Sequence, residues 1–338
     1  MSDNGVLIVM LKLLLQTGLS TLTLLLPLFA TASPGDYGDR PEAHAVIESV
    51  TAVGVDRQWA EQVIGEAKQQ QSILKAIARP AEKTKPWHEY RQIFITDKRI
   101  RQGVEFSRTH ADILRAVSEE TGVPASIIVA IIGVETFYGR ITGSYRVIDA
   151  LSTLAFDYPK RAPFFTKELE NFLILAYESG KDPLTLKGSY AGAMGFGQFM
   201  PSSYRAYAKD YDADGVADIW SNPADAIYSI ANYFVAHGWQ ANGPVIVPAA
   251  GHNAAPSVYQ QGLKPTLTVG ELATLGVAPT VATDVTLPAT PLKLAGALGP
   301  EYWLGLPNFY VITRYNHSAM YALSVWQLSE AIANAGDV

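Results

Sequence analysis

The amino-acid sequence predicts an α+β fold, mainly helical, and three observations lead there. Helical periodicity of apolar residues runs through most of residues 42–242. The composition then changes: residues 243–305 are rich in proline, valine and threonine, with short alternating runs such as "PVIVPA" and "TLTV" that read as strands. Helical pattern returns near the end in "SAMYALSVWQLSEAIANAG". A helical chain interrupted by a β-rich segment fits α+β with an inserted or appended module. The 338 residues, 48% hydrophobic and 17% charged, suffice for about two domains and a sizeable core, which argues against wholesale disorder.

The elements follow in order. From Leu11 the chain reads "LKLLLQTGLSTLTLLLPLFATASPGDYG": one lysine, an apolar stretch, then Ala30-Thr31-Ala32 in a small-x-small pattern. This predicts a secretory signal peptide over residues 1–32, cleaved after Ala32, and hence an exported protein. Asp3 and the lack of positive charge make the first nine residues a poor start, whereas Met10 followed by Lys12 makes a better one. An uncleaved membrane anchor is the alternative, although Thr17, Gly18, Ser20, Thr21 and Thr23 break the apolar run. No later segment sustains the ~20 apolar residues of a spanning helix. Residues 33–41, "SPGDYGDRP", predict a flexible leader. A helical domain is expected over 42–105, interrupted near Pro80 and Pro86.

Residues 106–242 form the next helical region. "SRTHADILRAVSEETG" (107–122) carries apolar positions 113, 114 and 117 and ends at Gly122, a helix stop. Pro124 suits the first turn of the following helix, which carries Glu135 near its C-terminal end. Further helices are expected over 162–180 and 223–239, then the β-rich unit over 243–305 and a helical end over 306–338. The net charge of −6, with no basic stripe, argues against nucleic acid as a partner. Absence of cysteine excludes disulfides, thiolate metal sites, thiol catalysis and a lipid-modified cysteine anchor.

Four stretches carry candidate chemistry. "IIVAIIGVETFYG" (127–139) is apolar on nearly every side yet ends in Glu135. Apolar surroundings disfavour an ionised carboxyl, which suits a general acid; a structural pair with Arg140 or Arg146 is the alternative. "GSYAGAMGFGQFMPSSY" (188–204) has glycines that let backbone approach a ligand, with Ser189, Tyr190 and Gln198 as hydrogen-bonding groups. The bland alternative is a turn of small residues where helices pack closely. It lacks the Gly-Lys-Ser/Thr ending of a phosphate loop.

"DYDADGVADIWSNPAD" places Asp210, Asp212 and Asp214 before Gly215 with the spacing of an EF-hand calcium loop over 210–221. Val216 is positioned to offer its carbonyl and Asp218 fills the ninth position. The twelfth position is Ser221, so Asp225 is the candidate for the missing carboxylate. The expected cofactor is one structural Ca2+, with no organic cofactor. "FYVITRYNHSAMYAL" (309–323) sets Arg314, Tyr315 and Asn316 before a helix carrying Tyr321. Asn316 with Ser318 is also readable as a helix cap, and the tyrosines as core. The six histidines lack the i, i+4 spacing of a helical metal site, and no G-x-S-x-G elbow is present.

In this order "GVETFYGR", "SYAGAMGFGQFMPSSY", the aspartate loop, "ANYFVAHGW" and "RYNHSAMYA" resemble the soluble-form relatives of membrane-bound lytic murein transglycosylase B, glycoside hydrolase family 103. The resemblance runs from about Glu42 to the C-terminus. It implies a lysozyme-like catalytic core with a helical domain and a small β-rich domain. It implies cleavage of peptidoglycan strands between N-acetylmuramic acid and N-acetylglucosamine, leaving a 1,6-anhydro end; with the expected signal peptide, the mature chain is expected in the periplasm of a Gram-negative cell. Peptidoglycan glycan strands are then the partner of a monomeric protein, with cell-wall synthesis or division proteins as further candidates.

By the same resemblance Glu135 is the single catalytic acid/base, and Ser189, Gln198 and Asn316 line the cleft. Tyr90 and Arg161 ("DYPKRAPFF") match a tyrosine and a basic residue of the family more loosely; Tyr315 and Tyr321 match aromatic positions. The segment between Trp220 and Asp225 is one residue longer than the family's pattern, which weakens Asp225 as a ligand. Two rival functions stand beside this one: a hydrolytic muramidase that uses water, and a catalytically idle peptidoglycan-binding protein. An acidic residue closing an apolar helix speaks against the idle version.

Overall fold

The computed structural model describes residues 35–78 and 85–336; the expected signal peptide lies outside them. The N-terminal half carries α1 (Pro41–Thr51), α2 (Arg57–Gly65), α3 (Gln71–Ile77), α4 (Trp87–Phe94), α5 (Asp97–Thr109), α6 (Ala111–Thr121) and α7 (Ala125–Thr136). Next come β1 (Tyr145–Arg146), α8 (Val147–Asp157), α9 (Ala162–Ser179), β2 (Lys187–Gly188), α10 (Pro201–Tyr207) and α11 (Pro223–Ala236). The β-rich part holds β3 (Ile246–Ala250), β4 (Leu267–Thr268), α12 (Val269–Thr274), β5 (Ala278–Pro279), β6 (Pro288–Gly296) and β7 (Gly299–Gly305). Helices α13 (Pro307–Tyr315) and α14 (Ala319–Ala335) close the chain. Among the described residues no single helix is long and apolar enough to cross a membrane.

Helix α7 is the axis of the main core. Ile127 through Val134 are buried without interruption, because α5, α6, α11 and α14 pack around it. Each fully buried branched side chain contributes about 1.5–3 kcal/mol, so an all-apolar helix is stable only in this position. The single helix suggested by 107–122 is instead split at His110, whose backbone leaves the helical region (φ −115, ψ 25). The split lets α5 face α7 and α14 while α6 turns to α11, and the His110 ring packs 4.4 Å from Phe106. Gly122 does stop α6, in the left-handed conformation (φ 69). The expected boundary after residue 105 falls inside α5 and is no seam in the chain.

The flexible leader expected over 33–41 is corrected for its described part, residues 35–41. Tyr37 is fully buried, and its hydroxyl donates to Asp157 at 2.7 Å. Arg40 donates to the same carboxylate at 2.6 Å, and Gly35 and Asp36 donate backbone N–H bonds to Gly65 and Ala67. Glycine, proline and aspartate made this stretch read as loop; one aromatic ring in the core orders it.

The β-rich part is a five-stranded antiparallel sheet in the order β4-β6-β7-β3-β5. It has its own small core of Val258, Val269, Leu272, Val277, Ala289, Leu304 and Leu306. The "TLTV" run is a strand only through Thr268, which then caps α12 in a reciprocal box with Glu271. Asn308, fully buried at the start of α13, binds the backbone of Gln240 and Gly243 where the composition changes.

Candidate active site

Glu135 occupies the last turn of α7, at the edge of the core. Its Oε1 accepts the hydroxyl proton of Tyr321 at 2.5 Å, across 186 residues of sequence. Of the two arginines offered as structural partners, Arg146 grips Asp149 through Nε (2.8 Å) and Nη2 (2.6 Å), and Arg140 is exposed. The residue after Glu135 ties this turn to the glycine-rich loop. Thr136 Oγ1 lies 2.9 Å from the Phe196 carbonyl, to which it donates, and accepts from Gly139 N at 3.0 Å. Sequence reasoning gave Thr136 no part, because its partner lies 60 residues away.

The loop 188–200 is built on close backbone approach. A Cβ at Gly195 would sit 2.3 Å from the Ile219 carbonyl oxygen, and its φ of 69 is left-handed. The β1–β2 pair, with Tyr145 opposite Gly188, brings the segment after α7 to the start of this loop. Ser189 Oγ accepts from Ala191 N (3.3 Å) and Ala193 N (3.0 Å), so its hydroxyl proton remains for donation. Gln198 is held at φ 51 with its Nε2 donating to Thr142 O (3.1 Å) and Gly195 O (3.0 Å). Neither bond uses the amide oxygen.

The end of α13 and the start of α14 supply the opposite side. Tyr315 donates to the Gly197 carbonyl at 2.6 Å, in a nest of Phe199, Tyr233 and Phe234 rings. The stretch "ANYFVAHGW" thereby gains a role its pattern did not reveal: it walls Tyr315. Burial, and then the charge of Glu135, push the hydroxyls of Tyr315 and Tyr321 well above the ordinary tyrosine range, so both keep their protons. Of the two residues readable as a cap, Ser318 is the cap, accepting from Tyr321 N at 3.3 Å, whereas Asn316 is exposed.

Tyr90 is only 2% exposed on α4 and interacts electrostatically with Tyr321. It therefore backs Tyr321 and offers no ring face to a sugar. Arg161 sits on an exposed turn between α8 and α9, its guanidinium over the rings of Phe164 (4.3 Å) and Phe165 (5.1 Å). The structure brings together Glu135, Tyr321, Tyr315 and the glycine-rich loop; the contacts of Arg161 do not reach them.

In the aspartate loop, Asp210, Asp212 and Asp214 each place a carboxylate oxygen within 4.8 Å of the others. Asp210 Oδ1 is buried without a hydrogen-bond partner, the kind of atom a cation would satisfy. Asp225 is outside this trio and acts as a clasp on the loop. Fully buried, it accepts Tyr211 N at 2.8 Å and Asp218 N at 2.7 Å, pinning both ends of the loop. Asp218 is taken by Ser221, Trp220 N and Lys181. Burial alone would raise its carboxyl, but those hydrogen bonds and the Lys181 charge hold it below the ordinary range.

Comparison with known proteins agrees with this geometry. The family model described as "Transglycosylase SLT domain" matches residues 38–330. Membrane-bound lytic murein transglycosylase B of Escherichia coli (strain K12) is 45% identical over 311 residues, covering 89% of this chain and 85% of that protein. Catenated lytic transglycosylase SltB1 from Pseudomonas aeruginosa superposes with a TM-score of 0.85 at 53% identity, over 89% of this chain and 99% of that one. Escherichia coli lytic transglycosylase Slt35 in complex with calcium gives 0.82 at 44% identity, over 90% and 96%. The α+β, mainly helical architecture is the lysozyme-like fold of those enzymes. The chain belongs to the family of membrane-bound lytic murein transglycosylase B and is an enzyme that cleaves peptidoglycan by transglycosylation.

Proposed function

We propose that Glu135 serves both halves of this reaction, first as acid and then as base. The observation that carries the reading is the Tyr321 hydroxyl at 2.5 Å from Glu135 Oε1, with the neighbouring Thr136 and Tyr315 bonded to the glycine-rich loop. Three carboxylates elsewhere in the fold are spent on structure. Asp149 binds Arg146 and Lys68 N, Asp157 binds Tyr37, Arg40 and Gln69, and Glu168 binds Ser202. A two-carboxylate glycosidase needs a partner acid, and these are committed.

In the first step the proton of Glu135 passes to the glycosidic oxygen as its bond to muramic C1 breaks. Positive charge on the sugar is relieved by the muramic N-acetyl group. Tyr321 stabilises the Glu135 carboxylate that results, by a charge-assisted hydrogen bond. In the second step that carboxylate takes the proton of the muramic O6 hydroxyl, and O6 closes on C1. Atoms balance without water, and the product is a 1,6-anhydro end. Ser189 supplies a hydroxyl donor, Gln198 an amide oxygen and Asn316 an exposed amide for the acetamido groups.

The test is product mass from purified cell wall, with Glu135→Gln alongside. The expected products are one water lighter than hydrolysis products, and the variant loses ~10²–10⁴ in rate while still binding glycan. Reducing-end products would convert the assignment to muramidase; an active variant would remove Glu135 from the mechanism.

We further propose one structural calcium ion on Asp210, Asp212 and Asp214, with the Val216 carbonyl as a fourth ligand. The convergent carboxylates and the orphaned Asp210 oxygen support it, as does the calcium complex of Slt35. Its chemistry is charge neutralisation of the loop. Export to the periplasm completes the proposal, on the pattern of the first 32 residues. Purified protein beginning after Ala32 is the expected result, and an intact leader on protein from membranes refutes it.

A further inference from the structure

The turn that follows Glu135 is built against backbone preference. Helices α6 and α9 end on a single left-handed glycine, Gly122 and Gly180. Helix α7 instead ends on Phe137 and Tyr138 at φ 53 and φ 62, before Gly139 at φ 79. Left-handed backbone is unfavourable for residues with a Cβ, so two in succession persist only where surroundings over-determine them.

Helix α5 supplies that determination. The Tyr138 hydroxyl donates to the Arg99 carbonyl at 2.8 Å. Its ring end lies in a notch made by two glycines: a Cβ at Gly133 would fall 2.7 Å from the hydroxyl oxygen, and one at Gly103 2.6 Å. The Arg99 guanidinium lies 4.7 Å from the centre of the Phe137 ring and 5.3 Å from that of Phe94. Arg99 thus holds the turn twice, by its carbonyl and by its side chain. Burial pushes the Tyr138 hydroxyl well above the ordinary tyrosine range, so it stays a donor. A cavity lined by Gln102, Glu105, His110 and Arg140 adjoins the ring, so a released tyrosine has room to swing away.

We infer that Tyr138, held by the Arg99 carbonyl in the Gly133–Gly103 notch, is a positioning residue that keeps the last turn of α7 wound and Glu135 aligned with Tyr321. Each helical residue turns the chain by about 100°, so unwinding by even one residue carries Glu135 off the Tyr321 hydroxyl. The inference rests on Glu135 as the acid/base.

The experiment compares Tyr138→Phe, Gly133→Ala and Glu135→Gln on soluble peptidoglycan fragments. Each kcat and KM is measured at equal amounts of folded protein, judged by near-ultraviolet circular dichroism. Tyr138→Phe removes one hydroxyl; Gly133→Ala keeps the hydroxyl but obstructs the notch that holds it. Both are expected to lower kcat ~10–100-fold with KM unchanged, the size of effect that displacing a catalytic group by about 1 Å produces. Wild-type kcat in Tyr138→Phe, or a rise in KM with kcat intact, overturns the latch. The two readings fail separately: an active Glu135→Gln sinks the acid/base assignment, whereas an inactive Glu135→Gln beside a fully active Tyr138→Phe sinks only the latch.

Discussion

Replacing Tyr321 by phenylalanine removes one hydroxyl and nothing else. The ring stays where it is, only 3% exposed on α14, so no cavity opens and apolar burial is kept. What is lost is the donor 2.5 Å from Glu135 Oε1. That separation lies in the short range of charge-assisted O–H···O⁻ bonds. A hydrogen bond to a charged group contributes about 1.5–3 kcal/mol. The bond matters most when Glu135 is ionised, between the two proton transfers, so its loss falls on catalysis and not on substrate affinity. At about 1.4 kcal/mol per tenfold, kcat should drop roughly 10- to 150-fold with KM nearly unchanged. Thermal stability should fall by no more than about 1.5–3 kcal/mol, the value of the one hydroxyl–carboxylate bond that is removed from the folded chain. The assay is release of soluble anhydro-muropeptides from purified cell wall, with kcat and KM from defined fragments. A variant with wild-type kcat, or one whose whole loss is in KM, would refute the argument that Tyr321 acts through Glu135.

Two other perturbations separate structure from metal binding. Calcium at a hundred times its dissociation constant should stabilise the folded chain by about 2.7 kcal/mol, read as a rise in Tm that a chelator reverses and Asp214→Asn abolishes. Asp225→Asn should lower Tm with or without calcium, because it weakens the clasp on Tyr211 N and Asp218 N; a loss confined to calcium-loaded protein would refute the clasp and make Asp225 a calcium ligand instead. At Asp157, burial alone would raise the carboxyl, but hydrogen bonds from Gln69, Tyr37 and Arg40 outweigh it and hold it below the ordinary range. A depressed carboxyl stabilises above its unfolded value of about 3.9 and loses that contribution as pH falls through the folded value. Asp157→Asn should therefore lower Tm clearly at pH 7, with the gap to wild type closing at acid pH; a gap independent of pH would refute the ionic reading.

The sequence by itself determined the order and type of most elements, since periodicity and turn residues are local properties. The buried α7 with Glu135 near its end, the stop at Gly122, the β-rich change near residue 243 and the aspartate spacing were all legible. The five ordered motifs also made the family and its reaction legible. Tertiary structure alone decided partners. Nothing local marks Tyr321 as the donor to a carboxylate 186 residues earlier, or Thr136 as a tie to Phe196. Composition made 33–41 a leader, yet one buried Tyr37 ordered residues 35–41. Counting along the loop offered Asp225 only as a ligand, whereas packing also gives its fully buried carboxylate two backbone N–H groups to clasp. The physical reason is common to these cases. Backbone preference follows from neighbours in sequence, whereas the cost of burying a polar atom is met by whichever group packing brings within hydrogen-bond reach.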